Sequence, residues 1–167
     1  MRKQKGFSLI ELLIVVAIIL IIAAIAIPNL LRARIAANES SAASGIRTIN
    51  TAEVSYYTSY QVYSNALTNL GPGGPTAVCP NPPVAATACL IDGVLASNGN
   101  PANNGKSGYT YSEAGTATSY NAVADPLTVN QTGVRSFCSV EDAVVRFQNP
   151  GPIGAGACAY TVSPLSQ

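Results

Sequence analysis

Leu12 to Ile27 form an unbroken run of 16 apolar residues, and a single carboxylate, Glu11, stands immediately before it. With Phe7 to Ile10 included, the stretch reaches the roughly 20 residues a helix needs to cross a hydrocarbon layer of about 30 Å. Arg2, Lys3 and Lys5 precede it, so the positive-inside tendency keeps the amino terminus cytoplasmic and places the rest of the chain outside. Apolar residues make up 48% of the 167. That share does not describe a large globular core, because much of it lies in this one run. The remainder is rich in Ala, Ser, Thr, Asn, Gly and Pro.

A cleaved secretory signal would account for the basic start, the apolar run and the small-x-small Ala24-Ile25-Ala26. An uncleaved signal anchor would account for the first two. Neither explains Glu11, since a carboxylate placed in hydrocarbon costs on the order of a few kcal/mol. The order of residues supplies a third reading. A short basic leader ends in Gly6, an aromatic Phe7 follows, then Ser8-Leu9-Ile10-Glu11-Leu12-Leu13, with Pro28-Asn29-Leu30 closing the apolar stretch. This segment closely resembles the type IV pilins over residues 1–34, and beyond that only in general architecture.

The resemblance implies cleavage between Gly6 and Phe7 by a prepilin peptidase that also N-methylates Phe7, so that residues 1–6 are a removed leader. The apolar segment, 7–30, then stays with the mature chain, first as a membrane anchor and later as filament core. The implied partners are other copies of the chain in a helical homopolymer, the peptidase and N-methyltransferase, an inner-membrane assembly platform with its ATPase, an outer-membrane secretin, and membrane lipid before assembly. The implied location is the inner membrane, single-pass with a cytoplasmic amino terminus, and then an extracellular pilus. Pseudopilins of type II secretion systems share the leader, Phe, Glu and Pro pattern. Their major family usually has a calcium-holding loop where this chain has a Cys-bounded tail. A monomeric membrane-anchored surface protein is the reading from a different class.

Cleavage would leave an ammonium at Phe7 and a carboxylate at Glu11. A charge in hydrocarbon seeks a partner. A neighbouring subunit displaced along a filament axis can supply it, so the expected assembly contact joins Glu11 to the Phe7 amine of an adjacent copy. An intrachain pair at i,i+4 is the alternative. Pro28 lies inside the helical pattern, where it removes one hydrogen bond and crowds the carbonyl of Ala24. A kink or a locally melted turn is expected between Ala23 and Pro28.

Helical spacing continues through Ile46, Ile49, Ala52, Tyr56, Tyr60 and Tyr63, which form one apolar stripe at steps of three or four. The expected helix therefore runs from about Phe7 to Tyr63, and residues 31–65 are its amphipathic half. The four tyrosines from Tyr56 to Tyr63 are read as packing against a sheet. Gly71-Pro72-Gly73-Gly74-Pro75 ends this region, and residues 66–104 read as an irregular surface connection. Strand-like runs follow at Tyr109–Ser112, Ala117–Ala124, Val134–Val140 and Ala143–Phe147. They predict an antiparallel meander within residues 105–148 whose inner face covers the stripe. The fold class is α+β, with a long helix packed on a small antiparallel sheet.

Cys79, Cys89, Cys138 and Cys158 are even in number behind an export-type start, which reads as two disulfides formed in an oxidising compartment. No C-x-x-C pair supports a zinc site. By resemblance to the disulfide-bounded end of many pilins, Cys138 pairs with Cys158 and tethers the tail, 149–167. That leaves Cys79 with Cys89. Two other connectivities are compatible with the sequence.

No catalytic, cofactor-binding or metal-binding residue is assigned. The chain has no His, which removes the commonest general base and metal ligand and any Ser-His arrangement. Glu141 and Asp142 are two of the six or so oxygens that calcium needs and are read as a solvated turn. Nine cations less the three of the leader leave six against eight anions, so no basic surface suggests nucleic-acid binding.

Overall fold

The computed structural model describes residues 7–99 and 101–165. The leader Met1–Gly6, and with it the expected cleavage position, lies outside them. Two units separate after Arg34: Met1–Arg34 and Ile35–Gln167.

The first helix, α1, spans Leu9–Tyr60 with Pro28 inside it. The locally melted turn expected between Ala23 and Pro28 is therefore corrected, since the helix runs on through the proline. One proline deletes one N–H donor, and the flanking turns keep theirs. The helix ends at Tyr60 rather than Tyr63 because Gln61 is left-handed, with φ of 59°. The Tyr63 N–H then bonds to the Thr116 carbonyl at 3.1 Å and hands the chain to the sheet.

In the second unit α1 buries Glu39, Ala42, Ala43, Ile46, Ile49, Asn50, Ala52, Glu53 and Tyr56. These lie three or four apart, the spacing of one helix face. The sheet is a five-stranded antiparallel meander in sequence order: β1 Tyr109–Gly115, β2 Tyr120–Pro126, β3 Ser136–Val140, β4 Arg146–Gln148 and β5 Ser163–Pro164. The register pairs Tyr111 with Ala124 and Ala124 with Phe137, so all three side chains point to the helix. Small alanines on β2 leave room for tyrosines on β1 and for the helix. Ile46 and Ile49 are fully buried there. Ile46→Ala should lower unfolding free energy by about 2–5 kcal/mol, measured by denaturant titration. A change below about 1 kcal/mol would mean that this face is not packed as described.

Val123 pairs with Cys138 and points the other way, where Val140, Cys158, Ile153 and Val162 complete a second small core. Burial on both faces explains why β3 shows no polar alternation.

Three strands start later than the sequence reading has them. The second strand begins at Tyr120, not Ala117, because the Thr116 hydroxyl accepts the Ser119 N–H at 3.1 Å and organises a turn. The third begins at Ser136, since the Val134 and Arg135 N–H groups bond to Glu39 instead of a strand. The fourth begins at Arg146, because Ala143 is left-handed and Asp142 accepts the Val144 N–H. The connection before the sheet is also more ordered than expected. It holds a 3-10 turn, Leu67–Leu70, and a short helix, α2, Gly93–Ala96, capped by Asp92. Leu67, Leu70, Ala88, Ile91, Leu95 and Ala96 from it join the main core.

Candidate functional site

The segment that heads α1 holds the first residues singled out from the sequence. Ser8 precedes the first helical residue, and its backbone N–H donates to Glu11 Oε2 at 2.9 Å. Ser8-Leu9-Ile10-Glu11 is thus the S-x-x-E spacing in which a glutamate in the first turn satisfies the donor before the helix. The carboxylate also sits where the helix dipole favours negative charge. The S-x-x-E pattern was present in the sequence, but only the charge at position 11 was read from it. Glu11 therefore has an intrachain partner, while its side chain stays in the exposed amino-terminal turn, three residues after Ser8 and four after Phe7.

Every large apolar side chain from Phe7 to Leu31 is exposed within the chain. They follow one another without a polar face, so the helix here is apolar all round, a pattern found in membrane spans and in cores. Among the described residues it is the one helix long and apolar enough to cross a membrane. Pro28 lies in this same exposed stretch.

The remaining residues singled out from sequence lie in the second unit. Cys79 bonds to Cys89, and Cys138 to Cys158. The first closes a local loop beside Ala88 and Ile91; the second holds the tail across the outer face of the sheet. The tail is also pinned by Asp125, whose carboxylate accepts the Ile153 and Gly154 N–H groups at 2.8 and 2.9 Å. Glu141 and Asp142 do occupy a turn, but both are engaged. Arg146 donates to Asp142 at 2.9 Å and lies over the Tyr160 ring, and the Tyr160 hydroxyl donates to Glu141. Ion pairing with Arg146 holds the Asp142 carboxyl below its ordinary range.

Glu39 was missed. It is buried on α1 and accepts the Val134 and Arg135 N–H groups at 3.0 Å each, and the Arg135 guanidinium at 2.7 Å. Burial pushes its pKa up, but these donors outweigh burial and hold it below the usual carboxylate value. A carboxyl with a depressed folded value stabilises above its unfolded value and loses that contribution as pH falls through the folded one. Glu39→Gln should therefore cost about 1–3 kcal/mol at neutral pH and flatten the loss of stability below about pH 4.5, as read from unfolding curves at pH 3 to 7. Equal acid sensitivity in both proteins would contradict this role.

Residues 1–27 match the family model described as the prokaryotic N-terminal methylation motif. Over 69 residues, 41% of this chain, it is 49% identical to the type IV wide pilus major component PilA4 of Thermus thermophilus, covering 50% of that protein. Over 69 residues it is 41% identical to the type IV major pilin protein PilA of Myxococcus xanthus, covering 31% of that protein. The chain thus matches half or less of the length of these curated relatives. The methylation motif, the long helix it begins and the antiparallel sheet that follows make the chain similar to these type IV major pilins over the matched part of its length.

Proposed function

We propose that the chain is the structural subunit of a type IV pilus filament. The observation that carries this reading is the apolar helix exposed on all sides and headed by Phe7 and Glu11. Such a surface needs lipid or other protein around it, and one segment can use both in turn. Before assembly the helix spans the inner membrane with its amino terminus in the cytoplasm. A prepilin peptidase cuts after Gly6 and methylates Phe7. The assembly platform and its ATPase then move the subunit from lipid into a bundle of identical helices that exits through a secretin.

In that bundle, the Phe7 ammonium of an incoming subunit meets Glu11 of a neighbour. The internal bond from Ser8 holds the carboxylate in place for the encounter, so little ordering remains to be done on docking. The second unit, with its sheet and two disulfides, forms the filament exterior. The relatives' names support a pilus over a secretion pseudopilus. Electron microscopy of cells with and without the gene tests the proposal. Loss of long surface filaments is expected. Intact filaments with impaired protein secretion would favour the pseudopilin reading, and neither defect a monomeric surface protein.

A further inference from the structure

Two buried carboxyl groups that assembly does not use meet between α1 and β1. Glu53 on the helix is fully buried and Glu113 on β1 nearly so. Glu113 shares the buried face of β1 with Tyr109 and Tyr111, which packs on α1, and both carboxyls adjoin Ser64. Their four oxygens face very few donors. The Ser64 N–H donates to Glu53 Oε2 at 3.0 Å. Glu53 Oε1 and both oxygens of Glu113 have no donor among the described residues. The Ser64 hydroxyl is close to Glu113, but its single proton is directed to the Ala66 carbonyl at 2.8 Å.

The surrounding titratable groups offer no relief. They are Tyr56 from α1, Tyr63 from the turn after it and Tyr120 from β2. The Tyr56 hydroxyl donates to the Ala85 carbonyl and that of Tyr120 to Asn50 Oδ1. Within this cluster the charges of Glu141 and Asp142 bear on Tyr63 and Tyr120 and not on the two carboxyls, and no Lys or Arg bears on either carboxyl. Two buried carboxylates without a cation repel strongly. The arrangement is satisfied when a carboxyl proton is donated from one group to the other.

We propose that Glu53 and Glu113 are a proton-sharing latch that fastens the end of α1 to the sheet and releases when alkaline pH removes the shared proton to solvent. The latch sits beside a close approach of the turn to β1. The Ser64 carbonyl lies so close to Gly115 that a side chain there would collide with it, and Tyr63 bonds to Thr116 next door. Ionisation of both groups forces this turn away from β1.

Burial raises Glu53 to about 7, and burial with the charge of Glu53 raises Glu113 to about 9. Both folded values exceed the unfolded ones, so the stability this pair contributes is complete in acid and lost as pH rises. Each proton held only by the native state lowers the folded-to-unfolded ratio by up to about tenfold per pH unit.

The test uses the full chain in detergent micelles, with unfolding followed by tyrosine near-ultraviolet circular dichroism. The wild-type ratio should fall at least about a hundredfold from pH 5 to 9, and Glu113→Gln should remove most of that fall. A wild-type ratio that is flat or rises, or an unchanged slope in Glu113→Gln, would overturn the proposal. Infrared spectra of wild type with carbon-13-labelled glutamate give an arm independent of the variant's folding. A protonated glutamic acid band should persist at pH 6 and vanish by pH 10. Its absence at pH 6 would also overturn the proposal.

Discussion

Glu11→Gln should give cells whose membranes hold normal amounts of the processed subunit but whose surfaces carry essentially no filaments. Glutamine is the informative replacement because of the Ser8–Glu11 bond. A glutamine at this position also accepts the preceding N–H, so the helix start survives and only the charge is lost. An ammonium at Phe7 would then enter an apolar bundle without its partner, at a cost of several kcal/mol per contact. Since 1.4 kcal/mol is a factor of ten, the subunit concentration needed for polymerisation rises a hundredfold or more. Insertion is driven by Leu12 to Ile27 and does not depend on this charge. Immunoblots of sheared-filament and membrane fractions read both quantities. Filaments at wild-type levels would show that Glu11 serves only its own helix.

Replacing Cys138 and Cys158 together by alanine should lower unfolding free energy by about 3 kcal/mol. The bridge closes a 20-residue separation, and Cys138 is fully buried with Val123 and Val140 beneath the tail. The bridge between Cys79 and Cys89 closes a separation of 10. Halving the loop changes the entropic part by only about 0.6 kcal/mol, so the difference between the bridges comes from burial. Cys79 is exposed and Cys89 half-buried, and their removal should cost less. Urea titrations of the two double variants compare them directly. A smaller loss for the Cys138 and Cys158 variant would mean that the tail packs independently of its tether.

The sequence revealed what depends on local spacing. Ile46, Ile49, Ala52 and Tyr56 recur at helical intervals because one face is buried, and the alternating tyrosines of β1 mark its inward side. Contacts between distant residues left no local signature. Glu39 and Arg135 are 96 positions apart, and nothing near either announces the other. That same contact trimmed the third strand. The helix end was misplaced because Gln61 has no glycine-like tendency toward the left-handed region it occupies. The connection of residues 66–104 looked like surface for its Pro, Asn and Gly content, yet its few large apolar residues, Leu67, Leu70, Ile91 and Leu95, converge on the core. The two-residue strand β5 is too short for any periodicity. At the amino terminus the apolar run and the charge at its head were plain from the order of residues alone. The hydrogen bond that links Ser8 to Glu11 could have been inferred from their spacing.

The central claim is that the apolar helix stays with a mature protein whose first residue is Phe7. Mass spectrometry of the amino-terminal peptide from sheared surface filaments tests it. N-methylated Phe7 is the predicted terminus. A chain starting beyond Ala26, or one retaining Met1 unprocessed, would contradict it.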